Sequence, residues 1–453
     1  MRGSSYGHGM TALHTDLYEV RMAASYLRRG MTEPATFSLF ARKLPRDRGF
    51  LVAAGLADCL DFLRTFRFDA AELAYLGQEV GLPDSDLAAL AGLRFDGEVW
   101  AVPEGRVVFA GEPLLEVTAP LPQAQLVETA LLNYVTFQSA VATKAARCRI
   151  AAPDADLVDF AARRTHGLES ARAMARVSAM VGFAGTSNVA AAEEFGLRPL
   201  GTMAHSYVQA FPTEHESFLA FGTDFPDAAV FLVDTYDTQR GVRTAIEATA
   251  ELGLAQERVG VRLDSGDLAE LAVLARRLLD EAGMPDARIV GSGGLDEYAL
   301  EALTAAGAPI DAYGVGTKIG VSADAPSLDS AYKLVEYAGR PVLKLSPGKA
   351  TAPAAKQVFR GGPGEPDVLA LREEEPRRGA EPLLVPAQRA GTPRPGVDSL
   401  DAARRRFERD LAWLPEAARR LRAPEPVTVT RSAALRELTD RLTADHVAAR
   451  PPR

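Results

Sequence analysis

Val259-Gly260-Val261-Arg262-Leu263-Asp264-Ser265-Gly266-Asp267 reads as a buried strand running straight into a turn. Val259 to Leu263 is short, apolar and β-branched, as a strand covered on both faces should be. Polar residues and a glycine then turn the chain. Asp267 stands at the N-cap position of a helical pattern that runs from Leu268 to Ala282.

The same unit recurs on both sides of it. Apolar strand-like runs occur at Leu157 to Ala161, Phe183 to Thr186, Leu200 to Ala204, Ala229 to Val233, Arg288 to Val290 and Ala312 to Val315. Helical patterns separate them, clearest at Ala171 to Val181, Arg243 to Leu252 and Glu297 to Ala306. Strands alternating with helices over about 160 residues predict a parallel α/β architecture. The spacing is even and no dinucleotide fingerprint follows the first strand, so a barrel is favoured over a doubly wound sheet. No eighth unit is visible. The expectation is an irregular, seven-stranded parallel α/β barrel over residues 151–330.

The flanks read differently. Residues 11–150 predict a mixed α/β N-terminal domain, completed by C-terminal segments. Asp16 precedes an amphipathic helix in which Tyr18 lies in the first turn; by pattern alone Tyr18 is an anchoring aromatic. Thr36 to Ala41 alternates like a strand, Gly55 to Phe66 is helical, and Phe95 to Thr118 breaks into short β runs of a small antiparallel sheet. Pro122 to Ala151 reads as one long helix bridging two domains. Beyond Lys333, residues 331–453 predict a hairpin turning at Ala338-Gly339-Arg340, then loops, then a charged helix from Leu400 to Arg422. Residues 1–10 are rich in Gly and Ser and are expected to be a disordered extension.

Composition narrows the function. The chain has 453 residues, 25% of them charged, and a net charge of −9. That balance gives no general basic surface for nucleic acid, so any phosphate site must be a local gathering of Arg and Lys. Two cysteines, Cys59 and Cys148, allow neither a disulfide framework nor a Cys-rich zinc site and suit a reducing cytoplasm. No run approaches the ~18 apolar residues of a membrane span. Met1 to Met10 has no apolar core of a secretory signal.

Strand ends in a barrel of this kind face the active site. Here they carry Asp159-Phe160-Ala161-Ala162-Arg163-Arg164, Gly185-Thr186-Ser187-Asn188, His205, Asp234-Thr235-Tyr236-Asp237, Asp264, Gly291-Ser292-Gly293-Gly294 and Gly314-Val315-Gly316-Thr317-Lys318. Each has a bland alternative: Asp237 and Asp267 as helix caps, the glycines as sharp turns, a lone histidine as a structural one. As a set they describe chemistry. The glycine runs offer backbone N–H groups to a phosphate. Asp234 and Asp264 suit a hydrated Mg²⁺ or ribose hydroxyls. Arg163, Arg164 and Arg262 are planar donors for diphosphate or carboxylate. The site expected is one for a phosphorylated sugar bearing a diphosphate, with a second, anionic substrate. A serine-hydrolase elbow, a P-loop and a metal-binding histidine pair are missing from the sequence.

These motifs, with Thr15-Asp16-Leu17-Tyr18, Gly201-Thr202-Met203-Ala204-His205 and Arg262-Leu263-Asp264-Ser265-Gly266-Asp267, resemble the nicotinate phosphoribosyltransferase family from Leu13 to about Arg360. The resemblance implies formation of nicotinate mononucleotide and diphosphate from nicotinate and 5-phosphoribosyl 1-diphosphate (PRPP), coupled to ATP hydrolysis, as an entry to NAD. It implies His205 as a phosphohistidine and Tyr18 as a ring stacked on nicotinate from the neighbouring subunit of a homodimer, with Phe160 on the other face. Arg163, Ser187, Thr202 and Arg262 are then the other nicotinate-site positions. Arg164, Gly293, Gly294, Gly314, Gly316 and Thr317 fall to PRPP, and Asp234 and Asp264 to Mg²⁺. Some relatives carry a cysteine zinc cluster, which two cysteines cannot build. Nicotinamide-specific relatives carry an acidic residue where Ser187 stands, so Ser187 favours the carboxylate substrate. The rivals are nicotinamide or quinolinate phosphoribosyl transfer, a non-catalytic PRPP or pyridine-nucleotide binder, and a sugar-phosphate aldolase, for which no lysine stands clearly inside a strand.

Overall fold

The computed structural model describes residues 11–346, 351–389, 392–393 and 399–448. The extension expected over residues 1–10 lies outside them. Two compact units divide the chain: one takes residues up to Ala140 together with Ser327 onward, the other Val141–Pro326. Among the described residues no helix is long and apolar enough to cross a membrane.

The first unit is built from both ends of the sequence. Its widest sheet orders the strands Arg340–Pro341, Ser330–Tyr337, Pro34–Ala41, Pro113–Pro120, Glu98–Ala101, Val385–Arg389 and Thr392–Pro393. Pro34–Ala41 lies inside this sheet and nearly all of it is buried: Ala35, Phe37, Leu39 and Ala41 share one face, and on the other Thr36 and Ser38 hydrogen-bond Thr118 and Glu116. It pairs antiparallel with a C-terminal strand on one side and Pro113–Pro120 on the other. The hairpin at 338–340 forms, with φ of 50° at Ala338 and 72° at Gly339. A second sheet joins Glu381–Pro382, Lys356–Arg360, Asp367–Leu371 and Val429–Arg431. Sequence periodicity gave Pro34–Ala41, the short strands between Glu98 and Pro120, and the hairpin, but missed this second sheet. Its apolar runs are short, and buried charge interrupts them: Lys356, Arg360 and Asp367 are each 3% exposed or less. Arg360 pairs with Asp367 at 2.6 Å and Asp410 at 3.1 Å, and its guanidinium lies 4.3 Å from the Trp413 ring centroid.

The second unit contains the parallel sheet, a half-barrel of six strands: β1 (Asp156–Asp159), β2 (Gly185–Thr186), β3 (Ala229–Leu232), β4 (Val259–Leu263), β5 (Arg288–Gly291) and β6 (Ala312–Val315). Their order in space is β2-β1-β6-β5-β4-β3, every neighbour parallel. All six therefore end on one rim. Helices Leu168–Met180, Thr238–Leu252, Leu268–Glu281 and Glu297–Ala305 connect successive strands. Asp237, Asp267 and Asp296 cap the last three through their carboxylates, so the capping reading of Asp237 and Asp267 holds.

The expected third strand, Leu200 to Ala204, does not form. Beyond one parallel bridge, Thr186 to Pro199, the segment leaves the ladder. The proline lacks an N–H, and the carbonyl of Met203 accepts from Arg262 instead of from a strand. The seven strands expected are six among the described residues. The long helix expected over Pro122 to Ala151 is two, Leu121–Leu126 and Glu128–Ala151, and Leu400 to Arg422 breaks at Pro415 into Leu400–Trp413 and Glu416–Arg419.

Candidate active site

A cleft of about 610 Å³ opens at the strand-end rim of the half-barrel. One wall is Phe160, which follows β1. Its ring lies over Gly314 of β6, where a Cβ would stand 2.4 Å from two ring carbons. The other wall is the irregular segment Pro199 to His205. The absence of a strand there is what lets Thr202 and Met203 turn toward the cleft floor.

Arg262, in β4, forms that floor. Its Nε donates to Ser292 Oγ at 2.8 Å, Nη1 to Thr202 Oγ1 at 2.9 Å and to the Met203 carbonyl at 3.3 Å, and Nη2 to Asp264 Oδ1 at 2.7 Å. The guanidinium carbon is 5.4 Å from the Phe160 ring centroid. A planar cation is thus fixed beside an aromatic face, the arrangement suited to a flat ring that carries a carboxylate. Burial pushes the Asp264 carboxyl up. The Ser292 hydroxyl and Arg262 outweigh it and hold the group below the usual carboxylate range.

His205 begins the short helix His205–Gln209. Its Nδ1 is 3.1 Å from Thr235 Oγ1 and its Nε2 is 3.8 Å from Asp264 Oδ2, with the side chain 41% exposed. An accessible imidazole with one carboxylate nearby has the chemistry to accept a phosphoryl group. Asp234, just past β3, uses Oδ2 to accept the Asp264 N–H at 3.0 Å and the Ser265 hydroxyl at 2.6 Å. Its Oδ1 is buried with no hydrogen-bond partner among the described residues. That orphaned oxygen fits a hydrated Mg²⁺, which one or two carboxylates hold together with substrate phosphates. Among the described residues no cluster of three His, Cys, Asp or Glu side chains could hold a metal without such help.

Phe160, Arg163, Ser187, Thr202, His205, Arg262 and Asp264 come together at this cleft. Arg163 and Ser187 are exposed on its rim. Arg164, Gly293, Gly294, Gly314, Gly316 and Thr317 stand on the same strand-end edge without lining the cleft. Gly293 has φ +94°, and a Cβ on it would lie 2.1 Å from the Asp264 carbonyl, so it allows β5 to close on β4. Gly316 precedes the one-turn helix Thr317–Gly320, and Thr317 is exposed. Tyr18 belongs to the first unit. It is 47% exposed, and burial together with Glu128, Glu19 and Asp16 pushes its phenol above the ordinary range.

Three participants were not singled out from sequence: Ser292, Thr235 and the Met203 carbonyl. Ser292 had a signal, a hydroxyl inside a glycine run at a strand end. A backbone carbonyl has none. Asp159 has the opposite status. It is fully buried, accepts from Ala161 N and Thr186 Oγ1, and ties the ends of β1 and β2 together.

Comparison with known proteins agrees with this geometry. Residues 13–136 match the nicotinate phosphoribosyltransferase (NAPRTase) N-terminal domain, and residues 155–356 match the nicotinate phosphoribosyltransferase (NAPRTase) family. The chain is 48% identical over 414 residues to nicotinate phosphoribosyltransferase pncB2 of Mycobacterium tuberculosis, covering 90% of this chain and 89% of that one. It is 43% identical over 377 residues to nicotinate phosphoribosyltransferase of Bacillus subtilis, covering 80% and 77%. The crystal structure of human nicotinic acid phosphoribosyltransferase superposes with a TM-score of 0.84 at 31% identity, over 94% of this chain and 99% of that one. With the cleft, the half-barrel and both matched regions in accord, the chain belongs to the nicotinate phosphoribosyltransferase family.

Proposed function

We propose that this protein joins nicotinate to PRPP, forming nicotinate mononucleotide and diphosphate for NAD biosynthesis, with ATP hydrolysis coupled through His205. The pyridine nitrogen forms a bond to ribose C1 as the C1–O bond to diphosphate breaks. The carbon is cationic in between, so the protein's task is positioning and electrostatic stabilisation rather than covalent chemistry.

The observation that carries this reading is Arg262, locked in plane beside the Phe160 ring at the strand-end rim. It supports a flat aromatic acid with its carboxylate toward Arg262 and Thr202, and with Ser187 placing no negative charge against it. Arg163, exposed on the cleft rim, is suited to the nicotinate carboxylate, and Arg164, exposed next to it in sequence, to the diphosphate. The glycine turns at 293–294 and 314–316, with Thr317, are suited to the sugar phosphate. Asp234 and Asp264 would hold Mg²⁺, which supplies positive charge to the departing diphosphate. Phosphate on His205 would add roughly −1.5 to −2 charge, by analogy with other phosphorylated side chains, beside Asp264 and the diphosphate position. In a homodimer, Tyr18 of one subunit would close the nicotinate site of the other. Cys59 and Cys148 are buried free thiols, which suits the cytoplasm.

Incubating the purified protein with PRPP and Mg²⁺, with and without ATP, and with nicotinate, nicotinamide or quinolinate in parallel tests the reading. Nicotinate mononucleotide and diphosphate are expected, faster with ATP and with ADP released. Turnover of nicotinamide or quinolinate in preference, or binding of PRPP without product, overturns it.

A further inference from the structure

Ser292 closes β5, is 2% exposed, and touches both charged groups at the centre of the cleft floor. Its hydroxyl donates to Asp264 Oδ1 at 2.5 Å and accepts from Arg262 Nε at 2.8 Å. Its own N–H donates to the Leu263 carbonyl at 2.8 Å. Just beyond it the Gly293 backbone packs so closely on Asp264 that a Cβ there would lie 2.1 Å from the Asp264 carbonyl. The hydroxyl is therefore held in place by strand geometry on both sides.

The consequence lies in how Arg262 spends its donors. A guanidinium has five N–H groups. Four are engaged, by Ser292, Thr202, Met203 and Asp264. One, on Nη2, is left for a ligand. Because Ser292 takes Nε, Asp264 reaches Arg262 through Nη2 alone. Without the hydroxyl, nothing stops Asp264 from pairing with Nε and Nη2 together. That fork-on-fork geometry is the one arginine and carboxylates prefer, and it would turn the remaining N–H and much of the positive charge away from the cleft.

We propose that Ser292 is a positioning residue that sets the preference for a carboxylate over a neutral amide, by keeping Arg262 from collapsing onto Asp264. The inference rests on the nicotinate reading above. It does not make Ser292 a catalytic residue, since the hydroxyl is committed to protein partners. Hydrogen bonds to a charged acceptor are roughly twice as strong as neutral ones, so misaligning Arg262 penalises the acid more than the amide.

The test uses Ser292→Ala in the full chain. Calorimetric binding of nicotinate and of nicotinamide is measured alongside KM for nicotinate and PRPP. Expected are nicotinate affinity weakened about tenfold, nicotinamide affinity and the PRPP KM changed less than about twofold, and a discrimination ratio lowered about tenfold, a loss of about 1.4 kcal/mol. Equal weakening of both pyridines, or unchanged nicotinate affinity, overturns the proposal. The binding data decide the role of Ser292 even if the parent proves inactive, in which case the activity reading falls by itself.

Discussion

At Gly314 a hydrogen stands where any other residue would put a carbon, and the Phe160 ring occupies that space. Gly314→Ala would push the ring into the cleft. Overpacking costs ~1–3 kcal/mol, so KM for nicotinate should rise about tenfold or more; steady-state kinetics with an unchanged KM would show that the ring has room to give. His205 has the opposite character, an accessible side chain with little packing to lose. His205→Ala should keep slow PRPP-dependent synthesis and lose its stimulation by ATP. Product formation with and without ATP measures this, and persistent stimulation would remove His205 as the coupling residue. At this scale the sequence was informative where chemistry demands a particular side chain, as at Arg262 and Asp264. It carried no sign that Gly314 also makes room for the Phe160 ring.

The element that positions Asp234 is the helix Thr238–Leu252. It approaches the end of β3 so closely that a Cβ on Gly241 would lie 2.0 Å from the Val233 carbonyl. Gly241→Ala must lift the helix, lowering stability by ~1–3 kcal/mol and displacing the neighbouring carboxylate. A lower urea midpoint with reduced kcat is the expected pair of outcomes; a change in neither would mean the contact relaxes freely. Six of the seven expected strands form because each is a short apolar run that leads into a helix, and Asn188, Asp237, Asp267 and Asp296 cap four of those helices. Leu200 to Ala204 has the run without the outcome. Its Met203 carbonyl is claimed by an arginine 59 residues away in sequence, and periodicity carries no trace of such a partner.

For the molecule as a whole, stability depends on charge buried where the chain's two ends meet. Glu112 is fully buried, and burial, aided by Asp367, raises its pKa well above the usual value. The unfolded chain loses this proton near pH ~4.3, whereas the folded chain keeps it to higher pH. The stability this group contributes is therefore complete below that lower value and declines as pH rises through the raised one. Glu112→Gln should flatten the decline. Thermal midpoints of both proteins across mildly acid to alkaline pH measure it, and parallel curves would count against the assignment. The division into a terminal and a central part was partly legible, since the β/α rhythm stops near Pro326 and β patterns resume. The strands at 356–360, 367–371, 385–389 and 429–431 were not. They are specified by partners such as Arg360 with Asp410, distant in sequence.

That arrangement fixes an order of events on the ribosome. Pro34–Ala41 leaves the exit tunnel hundreds of residues before Ser330–Tyr337, the strand that covers one of its edges. Glu98–Ala101 likewise waits for Val385–Arg389. The central part, Val141–Pro326, has all its own strands and can finish while the earlier segment still exposes unpaired edges. The nascent chain is thus most prone to stick to its neighbours midway through translation. A prematurely terminated product ending near Pro326 would hold a finished half-barrel and an open, adhesive sheet.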